Sequence, residues 1–424
     1  MDTRIQGLRS FLDAAHSNYH AISYLEAQLK QAGYTRLSEC RDWALEAGGK
    51  YYFLRGGTAI MAFRIPKTVT GGFLLSAAHS DRPCFKVKEN PELVGAYTRL
   101  AVERYGGQIL STWMDRPLSI AGRVMVETES GLESRLVDID RDLLLIPNVA
   151  IHMNRNINDG YKWNPAVDML PLFGGKEGKG RFQELLEQAA GAKVLGHDLY
   201  LYVRDNTRIW GMDNEYLSSA ALDDLECAWG CTQGFLNAQE SGSVPVLCIF
   251  DSEEVGSVQG AASTMLIDTL TRICQNRGWD LRQMLAQSFM VSADNGHALH
   301  PNHPELSDST NAPVLGEGVV IKFNATLRYC TDGLGAALFR KVCAKAGVPT
   351  QTYCNRADLP GGSTLGNISQ AHVSIPTVDI GLPQLAMHSC YETGAVADAL
   401  ALEDAMTAYY STTVSLQDEQ YRIL

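Results

Sequence analysis

A chain of 424 residues, 45% hydrophobic and 20% charged, is long enough to divide into two domains rather than pack around one core. Lys and Arg number 36 against 48 acidic residues, a formal net charge of -12 at pH 7. That balance excludes a broad nucleic-acid or anionic-membrane surface, since both rest on clustered cations.

The opening MDTRIQGLRSFLDAAH scatters charges where a signal peptide needs an apolar core of roughly 7–15 residues. No run approaches the ~20 apolar residues of a membrane span. The ten cysteines lie far apart, and several fall in apolar strands, Cys248 in VPVLCIF and Cys354 in TQTYC. They read as reduced, buried thiols of a cytoplasmic protein. Cys227 and Cys231 have a metal-pair spacing, but LECAWGC is an apolar helical stretch without a second Cys/His pair nearby.

Residues 4–16 and 20–33 carry apolar side chains at helical spacing, and KYYFLRGGTAIMAFRI predicts a hairpin turning at Gly56-Gly57. FLLSAAH (73–79), VPVLCIFD (244–251), SFMVSAD (288–294), VVIKFN (319–324) and IPTVDIGL (375–382) are nearly continuous apolar runs separated by helix-like segments. Such runs predict a sheet covered on both faces, an α/β layout. Between about 86 and 212 the texture changes to short β-rich pieces, RLAVERYGGQILSTWM and IAGRVMVETESG, with a polar loop FGGKEGKGR. The expectation is a discontinuous domain of residues 1–85 and 213–424 with a β-rich domain, 86–212, inserted into it.

In open α/β sheets the loops leaving the carboxyl ends of strands build the site. Metal-ligand residue types follow the apolar runs: His79 and Asp81, Asp251 to Glu254, Asp294, and His388 after PQLAM. Asp223 follows the apolar SSAAL at an expected helix start. Two imidazoles and three carboxylates suit two divalent ions if one carboxylate bridges them, and a bound hydroxide neutralises the remaining charge. Adjacent side chains diverge, so Glu253 and Glu254 cannot serve one ion alike. Glu254 is read as ligand and Glu253 as general base, with Asp81 fixing the tautomer of His79. Each feature alone has an ordinary reading, a satisfied polar histidine or a solvated acidic run. Their joint placement at strand ends is what points to chemistry.

HSDRPCFKVK, ALDDL, DSEEVGS, SADNGHALHPN, GGSTLG and GLPQLAMHS together resemble the aspartyl aminopeptidase family across nearly the whole chain. The resemblance implies a zinc exopeptidase-type fold, a mixed sheet sandwiched by helices, in which Asp223 bridges two Zn2+. Glu254 and His388 would complete one metal and His79 and Asp294 the other, with Co2+ or Mn2+ possible at one position. It implies cytoplasmic peptide hydrolysis at an N-terminal Asp or Glu, by attack of a dimetal-bound hydroxide with Glu253 as base. It also implies that the inserted domain serves dimerisation and that dimers build a dodecamer.

By the same resemblance His152, in IPNVAIHMNRNIN, reaches a neighbouring subunit's active site; Lys322, inside the apolar run VVIKFN, is costly without a partner, and the acidic substrate side chain that the resemblance implies would be one. A buried polar histidine and a snorkelling lysine are the ordinary alternatives. The Gly361-Gly362-Ser363-Thr364 turn either supplies oxyanion donors or is structural. Two positions depart from the family pattern: Asp224 stands where Asn is usual, and Tyr391 where Arg is usual before Glu392. The second weakens the implied acidic preference. The alternatives are an aminopeptidase of neutral specificity, a carboxypeptidase or deacylase on the same metal site, and a non-catalytic self-assembling shell or cargo protein.

Overall fold

The computed structural model describes residues 2–256, 260, 262–359, 361–362, 364–417 and 420–424. A nine-stranded mixed sheet forms the centre. In spatial order its strands are Thr35–Arg36, Lys50–Arg55, Ala59–Arg64, Val244–Phe250, Phe73–His79, Phe289–Ala293, Thr377–Gly381, Val319–Phe323 and Thr350–Cys354. The four central strands, Val244–Phe250 through Thr377–Gly381, are mutually parallel, so their carboxyl ends share one edge. Val319–Phe323 runs antiparallel to Thr377–Gly381.

Every side chain of Phe73–His79 and Val244–Phe250 is buried, which explains apolar runs without polar alternation. Leu74, Ala78, Leu247 and Ile249 face one layer of helices, Thr3–Ala14, Asn18–Gln31, Leu222–Asn237, Gly333–Ala346 and Val396–Tyr410. Phe73, Leu75, Ala77, Val246 and Cys248 face the other, around Met265–Arg277 and Leu281–Ala286. The first helix begins where the Asp2 side chain accepts from the Arg4 N–H, and buries Ile5, Leu8, Phe11 and Leu12 at helical spacing. The second is capped in the same way by Ser17.

A separate six-stranded antiparallel sheet comprises, in order, Gly131–Asp138, Leu118–Thr128, Val194–Val203, Cys84–Leu93, Thr98–Tyr105 and Leu172–Gly174. It has its own core, in which Phe85, Leu100, Trp113, Ile120, Val124, Leu199 and Leu201 pack with Phe182 and Leu186 of the helix Arg181–Ala190. Arg123 connects the sheets: its guanidinium donates to the Gly56 carbonyl and to Asp198 Oδ2, and lies 4.7 Å over the Tyr19 ring.

All ten cysteines are free and eight are buried; Cys40 is exposed, and Cys354, expected in the interior, is half-buried. Among the described residues no helix is long and apolar enough to cross a membrane.

Candidate metal centre

The parallel strand ends deliver their side chains to one place. His79 is the last residue of its strand, Asp294 directly follows Phe289–Ala293, and Glu253–Val255 forms a short 3-10 turn beyond Val244–Phe250. The strand Thr377–Gly381 approaches so closely that a Cβ on Gly381 would collide with the Asp294 carbonyl, hence glycine there. Asp223 sits at the start of Leu222–Asn237 with non-helical backbone, after left-handed Ala221, and is joined to Asp224 by a cis peptide. His388 lies in a loop at φ +66.

Two groups of donor atoms result. One atom each of His79, Asp223, Asp224 and Asp294 lie within 4.8 Å of one another, as do atoms of Asp223, Glu254 and His388. Asp223 belongs to both: Oδ1 is 3.6 Å from His79 Nε2, and Oδ2 is 3.4 Å from His388 Nε2, which is itself 3.6 Å from Glu254 Oε2. Burial would raise the Asp223 pKa, but the two histidines hold it well below the usual carboxylate range. His388 is pushed up to about 9, burial opposing and the Asp223 and Glu254 carboxylates prevailing. Burial is the largest influence on Asp294, raised to about 6, and on Glu253, raised to about 8; for Glu253 the pull of His79 opposes, and the Asp294, Asp81 and Asp223 carboxylates add to the rise.

The residues fit divalent metal. Asp223 Oδ1, Asp224 Oδ1 and Glu254 Oε1 are buried without a hydrogen-bond partner, a costly state for carboxylate oxygens unless a cation faces them. Imidazole with carboxylate is a donor set for zinc, and accepts cobalt or manganese.

Around the donors, Asp81 has several partners. Nδ1 of His79 lies 3.3 Å from Asp81 Oδ1 and 3.1 Å from its backbone carbonyl. The same carboxylate accepts the backbone N–H groups of Glu253 and Glu254, each at 3.1 Å, and the Tyr105 hydroxyl at 2.9 Å. Nδ1 of His388 is 3.3 Å from the Gly107 carbonyl. Gly106, at φ +79, leaves room for Glu254, whose Cβ would lie 3.2 Å from any Cβ there. The six-stranded sheet thus reaches the site.

Lys322 is 1% exposed; its ammonium donates to the carbonyls of Asp294 at 2.7 Å and Asn295 at 3.3 Å, and lies 3.9 Å from Asp294 Oδ2. It is not a snorkelling surface lysine. His152 is exposed on the six-stranded domain between Ile151, 48% exposed, and Met153, 79% exposed, so it is not a buried polar residue either. Tyr391 directs its hydroxyl to the Asn206 carbonyl at 2.7 Å. Ser363 lies outside the described residues, and Thr364 donates its hydroxyl to Asp379 at 2.7 Å, a structural use. The Cys227 thiol bonds Asn295 Oδ1 rather than joining either donor group.

Sequence reading missed three participants. Asp224, read from the sequence only as a departure from the usual Asn, falls within the first donor group, and its Oδ2 accepts the His79 N–H at 3.0 Å. Glu392 and Tyr105 were passed over because their partners are distant in sequence.

An α/β sheet with a buried imidazole–carboxylate cluster at its parallel strand ends defines a metalloenzyme of the hydrolase type. The sequence model of the Aminopeptidase I zinc metalloprotease (M18) family matches residues 11–410, and the chain belongs to that family of metallo-aminopeptidases. A probable M18 family aminopeptidase 2 of Clostridium acetobutylicum is 40% identical over 422 residues, covering 95% of this chain and 98% of the relative. Among solved structures, an Ape4 and Nbr1 complex superposes with a TM-score of 0.93 at 33% identity, covering 96% of this chain and 85% of that one. The S. cerevisiae mApe1 dodecamer, at 24% identity and a TM-score of 0.86 over 96% of both chains, shares the fold.

Proposed function

We propose that the protein removes the N-terminal residue from peptides, preferring Asp or Glu, with two zinc ions held per subunit. The observation that carries this reading is Asp223, whose two oxygens face two separate histidines within two donor groups. Asp223, Glu254 and His388 would hold one ion, and Asp223, His79 and Asp294 the other, with Co2+ or Mn2+ acceptable at one position. When bound, the ions supply Lewis acidity that polarises the scissile carbonyl and acidifies water. Glu253, half-buried beside this cluster and held by its N–H to Asp81, accepts the proton of the attacking water and returns it to the leaving amine. Asp81 keeps the His79 ring oriented.

Specificity rests on Lys322, whose ammonium serves the Asp294 and Asn295 carbonyls and lies 3.9 Å from Asp294 Oδ2. Its engagement there favours a second reading, an aminopeptidase of neutral specificity. Tyr391 weighs the same way, since it brings no cation and its hydroxyl is bonded to the Asn206 carbonyl.

We take the domains as 1–85 with 213–424, catalytic, and 86–212, inserted for dimerisation. Exposed Tyr97, Leu132, Met153 and Val167, each more than 60% accessible, suit an assembly surface there. Assembly of dimers into a dodecamer is supported by the dodecameric mApe1 that shares the fold. In a dodecamer of this chain, His152 would reach a neighbouring subunit's site. Free, mostly buried thiols suit the cytoplasm.

A panel of aminoacyl chromogenic substrates, assayed before and after chelation and after return of single metals, tests the reading. Cleavage should require a free α-amino group and metal, and be fastest for Asp and Glu. Equal rates on acidic and neutral residues select the second reading; cleavage of N-blocked substrates overturns both.

A further inference from the structure

We propose that Glu392 is a positioning residue that fixes Asp223 and His388 against one another and thereby sets the affinity of the zinc site these two share with Glu254. The inference rests on the two-zinc reading above and adds to it a residue outside the donor set.

Glu392 is 1% exposed and opens the strand Glu392–Ala395, which pairs antiparallel with Tyr216–Ser219 so that Glu392 lies opposite Ser219. That register brings its carboxylate beside the turn that carries Asp223. Oε2 accepts the Asp223 N–H at 3.0 Å, and Oε1 accepts the His388 N–H at 2.7 Å. One carboxylate therefore holds the main chains of two residues 165 positions apart, whose side chains meet at 3.4 Å.

Neither backbone is held there by regular structure. Asp223 has non-helical dihedrals at φ -82 and ψ 108, and His388 stands at φ +66 between Ala386, also left-handed, and its own return strand. A backbone N–H at such a position needs a partner from elsewhere, and Glu392 supplies both. Its two oxygens match two donors, a pairing an amide cannot reproduce, because glutamine turns its NH2 group toward one of the two N–H groups. Groups that orient metal ligands in this way are commonly worth 10–100-fold in metal affinity.

The test is a zinc titration of the assembled protein by calorimetry, with melting of the zinc-free form measured alongside. Wild type should take up two zinc ions per chain. Glu392→Gln should bind the ion shared with Glu254 about 10–100-fold more weakly and the other, which Glu392 serves through Asp223 alone, with a smaller loss; its zinc-free form should melt somewhat lower, since one buried N–H then faces the amide NH2. Glu392→Asp, which keeps both oxygens on a shorter reach, should recover part of the loss, and it carries the test alone if the glutamine variant does not fold. Zinc affinities within threefold of wild type in both variants overturn the proposal. So does equal loss of both ions, which would mark Glu392 as general scaffold. A wild-type chain that binds no zinc is a different outcome and removes the two-zinc reading itself.

Discussion

The Tyr105 hydroxyl, carried by the six-stranded sheet, donates to Asp81 Oδ2 at 2.9 Å, while Asp81 Oδ1 lies 3.3 Å from Nδ1 of His79. A residue of one sheet thereby steadies a metal-ligand type on the other. Removing the hydroxyl in Tyr105→Phe leaves Asp81 with the Glu253 and Glu254 N–H groups and His79. A hydrogen bond to a carboxylate is worth about 1.5–3 kcal/mol. We expect turnover or zinc affinity to fall about 10-fold, and Asp81→Asn, which also disturbs the 253–254 turn, to cost about 100-fold. Steady-state kinetics with a matched zinc titration check both.

Under the proposed mechanism, Glu253→Gln preserves shape and removes the proton acceptor. Glu253 lies outside both donor groups, so zinc stoichiometry should stay at the wild-type value. Turnover should fall by about 10²–10⁴-fold. A variant that lost zinc and activity together would show Glu253 to be a ligand rather than a base.

Three of the four parallel strand ends were legible because those strands are buried on both faces, which leaves apolar runs ending abruptly in polar residues. His79, after FLLSAA, is the clearest instance. Asp224 was not legible as a donor, since residues 223–224 have non-helical backbone where the sequence suggests a helix start. Glu392 was not legible because its partners are backbone N–H groups, which leave no mark in side-chain pattern. Gly107 acts through its carbonyl, and the sequence bears no sign of that. The hairpin at Gly56-Gly57 was readable for the opposite reason: both glycines have positive φ, demanded locally by the turn itself.

Acid should weaken the tie between the two sheets. Burial opposes ionisation of Asp198, but hydrogen bonds from Arg123 and Lys86 hold it down to about 2, below its ordinary 3.8. A depressed folded pKa contributes stability that is fully present above the unfolded value and disappears as pH falls from about 3.8 through about 2. The side chain is 29% exposed, so screening reduces the contribution to about 1–2 kcal/mol. Asp198→Asn should lower the stability of the chelated protein by that amount at pH 7 and by almost nothing near pH 2. Urea unfolding at the two pH values gives the comparison, with chelation keeping zinc release out of the difference.

Lys322→Met separates a structural lysine from a specificity lysine. The ammonium is buried and bonded to the Asp294 and Asn295 carbonyls. Its removal leaves two buried carbonyls without their donor, at a cost of about 2–4 kcal/mol. Methionine fills the space of the alkyl stem, so the cost is in hydrogen bonding and charge rather than volume. Destabilisation is therefore expected under either specificity. The two diverge in kinetics. If Lys322 also meets the substrate's carboxylate, kcat/KM for an Asp or Glu substrate should fall at least 10-fold more than for a Leu substrate, because an unpaired buried charge penalises only the acidic one. If the lysine serves only the loop bearing Asp294, both substrates should lose by the same factor. The ratio of the two kcat/KM values, measured on zinc-saturated protein below its melting temperature, cancels common losses from the displaced Asp294 and isolates recognition of the side chain.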